Sequence, residues 1–223
     1  MILSDREIQL ALRRGIFSIT DEPPVEAYAS TAVDLRLDAL LHIWQPLKKN
    51  PPMGIDPCFC PTAENYRVSD LINDNTFTHD LKSSPFRIMP RSTLTEPDDP
   101  DSDRTRPLPG FVLGWTMEKI RIPHESRVCA RVEGKSSLAR IGLGVHVTAP
   151  TIHGGFGVGM DTKGDALQLE IWNVGPLPIE LTYKMRICQL IFEEVHGVPV
   201  KGYEGQFKGQ GPKPPDKPKT RKR

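Results

Sequence analysis

An all-β barrel or double-sheet fold with one short N-terminal helix is the architecture this sequence predicts, and three observations predict it. From Phe111 onward the chain breaks into short apolar runs: Phe111 to Met117, Ile120 to Ile122, Ser126 to Val132, Gly144 to Thr148, Ala166 to Asn173, Ile179 to Thr182 and Arg186 to Phe192. Gly and Pro punctuate the gaps, as in sheets closed by tight turns. No alternation of strand, turn and helix runs through the chain, which argues against a parallel α/β sheet and so against a dinucleotide fold.

At 223 residues and 38% hydrophobic positions the chain can bury one substantial core, so a single domain over residues 1–200 is expected. In order, Ser4 followed by Glu7 forms a capping box, and Ile8 and Leu12 continue at helical spacing until Gly15. Ile16 to Ile19 and Thr31 to Leu37 read as strands, the second alternating Val33, Leu35 and Leu37 against Asp34 and Arg36. Residues 46–109 are rich in proline and poor in alternation, with an acidic cluster at Glu96, Asp98, Asp99, Asp101 and Asp103; an elaborated surface loop region is expected there. Residues 213–223 combine prolines and basic residues without apolar ones, which predicts a disordered tail.

The 29 basic and 28 acidic residues leave a formal net charge of +1, so no global field favours nucleic acid or a membrane surface as partner. No segment is long and apolar enough to span a bilayer, and the first residues lack the apolar run of a secretory signal. Cysteines at 58, 60, 129 and 188 supply no disulfide framework for a chain of this size, so a reducing cytoplasm is expected. Cys58-Phe59-Cys60 is spaced too tightly for a structural zinc pair and has no second pair nearby.

The most informative stretch is Gly134-Lys135-Ser136-Ser137-Leu138-Ala139-Arg140, which places two hydroxyls and two cations after a glycine. A nucleoside triphosphatase loop needs another glycine five positions before Gly134, where Cys129 stands, and that reading fails. An ordinary polar turn and a phosphate site both remain open on these residues alone.

The opening Met1 to Ile8, Val33 to Leu37, the Gly-Lys-Ser-Ser-Leu-Ala-Arg segment, Val145 to Pro150, Leu169-Glu170-Ile171-Trp172-Asn173 and the closing Tyr203 to Pro212 together resemble the dCTP deaminase branch of the dUTPase superfamily. The resemblance implies a dUTPase-like distorted β-barrel, or double-sheet jelly-roll-type fold, assembled as a homotrimer with sites between subunits. It implies hydrolytic deamination of dCTP to dUTP, with Mg2+ accompanying the triphosphate. Zinc-dependent deaminases use His-Xaa-Glu and Pro-Cys-Xaa-Xaa-Cys, and this sequence has neither, so a zinc-free mechanism is required.

Carried onto this chain, the resemblance makes Glu170 the proton shuttle. Leu169, Ile171 and Trp172 suggest an apolar wall that raises its proton affinity, although an ordinary strand carboxylate is the plainer alternative. Ser136 and the backbone carbonyl of Ala149 would position the water, and Arg140 would hold the glutamate and pocket. Lys135 and Ser137 would bind phosphate, with Lys135 replacing the family's usual arginine. Gln168, Leu169 and Phe156 would contact the nucleoside, Phe156 packing on the deoxyribose. Tyr203, Gln206 and Gln210 belong to a C-terminal arm over residues 201–212 that closes on the triphosphate; Gln206 and Phe207 stand where that arm's pattern has lysine and tyrosine. His153 stands where the superfamily's dUTP-hydrolysing branch has an aspartate, which favours deaminase over dUTPase or a bifunctional enzyme. The 157–166 connection is longer than the family's, an extended hairpin tip or a source of another carboxylate, Asp161 or Asp165. A nucleotide-binding regulator without turnover is the third reading. Asp34 is either a family-motif residue near the site or a solvated or hydrogen-bonded strand carboxylate.

Overall fold

The computed structural model describes residues 1–44, 72–73, 75–90, 110–145, 149–159 and 163–201. Helix α1 (Asp5–Arg13) starts where expected: Ser4 Oγ accepts the Glu7 N–H, and the Glu7 carboxylate accepts the Ser4 N–H at 2.8 Å. The strands are β1 (Ser18–Ile19), β2 (Tyr28–Ala29), β3 (Ala32–Arg36), β4 (Leu40–Trp44), β5 (Thr76–Asp80), β6 (Phe86–Ile88), β7 (Phe111–Arg121), β8 (Val128–Gly134), β9 (Leu143–Val145), β10 (Thr151–Ile152), β11 (Asp165–Asn173), β12 (Ile179–Leu181) and β13 (Arg186–Glu194).

They pair antiparallel in two main sheets. One runs β5-β4-β7-β11-β9, with β1 also on β7; the other runs β10-β8-β13-β3-β2; β12 and β6 make a small third sheet. The buried core draws Val33, Leu35, Val132 and Leu190 from one main sheet and Leu41, Ile43, Leu169 and Ile171 from the other. In β3 the alternation follows the Val33, Leu35, Leu37 pattern, whereas the sheet containing β7 also buries Leu113 and Trp115 on the face opposite Leu169 and Ile171.

Two expectations change. The runs Phe111 to Met117 and Ile120 to Ile122 are one continuous strand, because Glu118, 2% exposed, is neutralised inside the fold by Arg36. Residues 46–109 are not wholly surface loop. Thr76–Asp80 and Phe86–Ile88 are strands pairing with β4 and β12, and Leu81 and Ile88 enter the core. The acidic cluster at 96–103, the Cys58 and Cys60 pair, Asp161 and the tail at 213–223 lie outside the described residues.

Asn173 closes the end of β11. Fully buried, its amide donates to the carbonyls of Ile88 (3.0 Å) and Leu177 (2.8 Å) and accepts the Gly175 N–H (3.0 Å), so its polar atoms are paired without solvent. Cys188, in the middle of β13, is also fully buried. Burial first, then the nearby Glu118 and Asp34 carboxylates, push its thiol well above the ordinary range, while Lys135 pulls the other way.

Candidate functional site

Strand β8 delivers the chain to Lys135, whose extended backbone caps the one-turn helix Ser136–Ala139. Leu138 packs against the core, and Ser136, Ser137 and Arg140 remain exposed around that anchor. The segment borders an open cleft of about 880 Å³ whose lining includes Gly134, Lys135, Ser136, Ser137, Trp172 and Gln189. The sequence-predicted phosphate segment is thus at a concave surface. Its glycine is not demanded by the chain's own packing, since a Cβ at Gly134 would meet nothing closer than the Val145 backbone at 3.9 Å. Gly144 differs: a Cβ there would stand 2.1 Å from Trp172 Cζ2, so the indole rests directly on this glycine.

Lys135 does not extend freely into the cleft. Its Nζ donates to Asp34 Oδ1 at 2.5 Å, reaching from the end of β8 to β3, and Arg186 Nη1 lies 3.8 Å from the other carboxylate oxygen. The Lys135 and Asp34 side chains are 24% and 13% exposed, so water screens this pair less than a surface ion pair. Asp34 is thus a hydrogen-bonded strand carboxylate, held by Lys135 at the end of β8.

Glu170 sits on β11 with the alternation buried, half-buried, buried around it. Leu169 and Ile171 face the core at 0% exposure, so of the three apolar neighbours expected to wall Glu170 only Trp172 shares its face of the strand. What accompanies Glu170 comes from other strands: its cross-strand partner on β7 is the buried Leu113, and His42 on β4 is Leu113's partner on the far side. His42 is buried and meets Trp115 edge-on at 6.5 Å, and Trp115 pairs with Gln168. Gln168, Glu170 and Trp172 therefore share one face. Glu170 precedes Trp172 at the cleft by two residues, roughly 6.6 Å of strand, and is not itself among the residues that line the cleft.

Two of the expected substrate contacts have buried side chains. The Leu169 side chain belongs to the core, because it occupies an inward register of β11, leaving only its backbone for a ligand. Phe156 is likewise a core residue, 7% exposed; its N–H bonds to His153 O and its carbonyl accepts the Ile122 N–H. His153 and Ala149 are exposed, and the neighbouring Pro150 both lines the cleft and accepts the Val132 N–H at 2.9 Å. Tyr203, Gln206 and Gln210 lie outside the described residues. Sequence reasoning missed the Lys135–Asp34–Arg186 cluster and the His42, Leu113 and Trp115 neighbours of Glu170, all joined by strand pairing between distant segments. Only Asp34, inside the Val-Asp-Leu-Arg-Leu run, carried a signal.

Among the described residues no group of three or more His, Cys, Asp or Glu side chains is arranged to hold a metal ion, and no helix is long and apolar enough to cross a membrane.

The chain is similar to known proteins. A protein of Methanothermobacter thermautotrophicus named "dCTP deaminase, dUMP-forming" is 31% identical over 193 residues, covering 86% of this chain and 78% of that protein. One from Rhodospirillum rubrum named "dCTP deaminase" is 30% identical over 208 residues, covering 91% and 87%. The crystal structure of 2'-deoxycytidine 5'-triphosphate deaminase from Agrobacterium tumefaciens superposes with a TM-score of 0.57 at 19% identity, over 87% of this chain and 48% of that one, and shares the fold. The present chain thus spans about half the length of that solved chain. The dCTP deaminase-like family matches residues 2–195, which contain both main sheets, the cleft and Glu170, and the chain belongs to that family.

Proposed function

We propose that the protein deaminates dCTP hydrolytically, giving dUTP and ammonia. The observation that carries the reading is the cleft bordered by Lys135, Ser136 and Ser137, a cation and two hydroxyls suited to phosphate oxygens, with the Gln168-Glu170-Trp172 face beginning at its edge. The names of relatives about 30% identical over most of their length support the substrate.

In this reading Glu170 takes a proton from water as it attacks C4 of the cytosine and delivers it to N3, then moves the proton of the resulting C4 hydroxyl to the departing amino group, so that water and dCTP become dUTP and ammonia. Ser136 and the Ala149 carbonyl orient the water; Arg140 holds the carboxylate and pocket. Gln168 and the Leu169 backbone read the base. Ser137 and Lys135 take phosphate, and Tyr203, Gln206 and Gln210 close over it. Magnesium enters with the triphosphate as part of the substrate.

The working unit is a homotrimer, in which strands of a second copy complete the open cleft bordered by Lys135, Ser136 and Ser137. Nucleic acid and membranes are not partners, and the enzyme acts in the cytoplasm.

A second reading is favoured by relatives named dUMP-forming: further hydrolysis of dUTP to dUMP and pyrophosphate. The exposed His153 occupies the position of the water-activating carboxylate in the hydrolysing branch, which speaks for the first reading. Incubation with dCTP and separation of products tests both. Ammonia with dUTP is expected; ammonia with dUMP and pyrophosphate establishes the second, and no ammonia overturns both.

A further inference from the structure

We infer that Asp34 is a specificity-determining residue: by holding the Lys135 ammonium it makes the cleft select long, highly charged phosphate chains over short ones. The inference rests on reading the cleft as a phosphate site. Lys135 lines the cleft and Asp34 does not, yet the lysine's charge is committed to Asp34 at 2.5 Å. A ligand entering therefore meets a neutralised cation and must compete with a carboxylate for it. At 24% and 13% exposure, separating the pair costs more than separating a solvated one, and the cost is offset only by a ligand bringing more negative charge.

Two features let the pair open without stranding a charge. Arg186 already approaches the other oxygen of Asp34 at 3.8 Å, and its Nη1 is steadied by the Glu26 carbonyl at 2.8 Å, so Asp34 keeps a cation when Lys135 leaves. Lysine carries its charge as a point on a flexible stem, so it can change partner by rotating that stem, whereas arginine's rigid fork would tend to hold its partner. Glu133, the carboxylate on the same wall, is paired with Arg131 at 3.5 Å and does not compete for the ammonium.

The test is calorimetric binding of inorganic tripolyphosphate and pyrophosphate, without nucleotide, to the full chain. The wild type should prefer tripolyphosphate. Asp34→Asn should narrow that preference about tenfold, about 1.4 kcal/mol, chiefly by tightening pyrophosphate. In a Lys135→Met background the same substitution should leave the preference unchanged. An unchanged preference in Asp34→Asn, a tripolyphosphate affinity that falls at least as far as that of pyrophosphate, or no binding of either probe to the wild type overturns the inference.

Should Asp34→Asn fail to fold, lysine acylation of the wild type read by mass spectrometry gives the same decision. Tripolyphosphate should change the Lys135 rate and saturating pyrophosphate should not; equal change or none overturns it. Turnover of dCTP with unchanged phosphate preference rejects this inference alone. The expected preferences without ammonia release from dCTP reject the substrate reading alone.

Discussion

Glu118 and Arg36 are joined twice: one carboxylate oxygen accepts the Arg36 backbone N–H at 2.9 Å, and the other accepts its guanidinium Nε at 2.6 Å. The pair ties β7 of one main sheet to β3 of the other, and the Glu118 side chain is only 3% exposed. Arg36→Ala leaves that carboxylate buried with one partner removed and should destabilise the fold by about 3–5 kcal/mol. Glu118→Gln, which keeps shape and one acceptor, should cost about 1–3 kcal/mol. Urea unfolding with an unchanged slope measures both, and a larger loss for Gln than for Ala would contradict the assignment.

Gly144→Ala forces a methyl into the Trp172 indole, 2.1 Å from Cζ2. The ring must shift in the cleft, at a cost of about 1–3 kcal/mol. Thermal melting should register that loss. Tryptophan emission should change in this variant and not when Gly144→Ala is made on a Trp172→Phe background.

Glu170→Gln should lower ammonia release from dCTP by roughly 10²–10⁴-fold with nucleotide affinity nearly retained, because the amide keeps the shape but shuttles no proton. In the proposed trimer, where Glu170 of one copy meets the Ser136 cleft of another, mixing Glu170→Gln with Ser136→Ala chains should restore part of the activity. Retention of turnover within about tenfold in Glu170→Gln would remove Glu170 from the proton-transfer role. An active monomer in sedimentation would remove the trimer.

The buried Cys188 thiol sets a sign for alkaline stability. Its folded-state proton affinity is raised by burial, then by Glu118 and Asp34. Its contribution is therefore intact below the ordinary thiol value of about 8.5 and declines as pH rises above it, because only the unfolded chain ionises there. The expected loss approaches about 1.4 kcal/mol per pH unit, read as a falling urea midpoint. Half-buried Cys129, also raised by burial and Glu193, adds in the same direction. Cys188→Ala should flatten the slope even where it lowers overall stability; an unchanged slope would refute the assignment.

Local signals carried much of the fold. The helix at Asp5–Arg13 was legible because Ser4 and Glu7 satisfy each other three residues apart, and β3 because its alternation repeats its burial. What stayed hidden depends on partners far along the chain. Glu118 looks like a strand breaker until Arg36, 82 positions away, neutralises it; β5 and β6 look like loop until β4 and β12 pair with them. At the site, the Gly-Lys-Ser-Ser segment stood out as a run of hydroxyls and cations after a glycine, and it borders the open cleft. The surroundings of Glu170 did not follow from Leu169 and Ile171, because in a strand immediate neighbours occupy the other face. Lys135 had no visible partner because Asp34 lies 101 positions away.

The carbonyl of Ile88 that receives the Asn173 amide limits how the chain can be trimmed. A shortened version made by excising 46–109 as one dispensable block loses β5 and β6, exposes the flank of β4 behind His42, and leaves a fully buried amide short of an acceptor at the end of the strand that carries Glu170. A miniaturised chain that keeps its shape must retain Thr76 through Ile88, together with Ile72, whose carbonyl accepts the Thr76 hydroxyl at 2.7 Å.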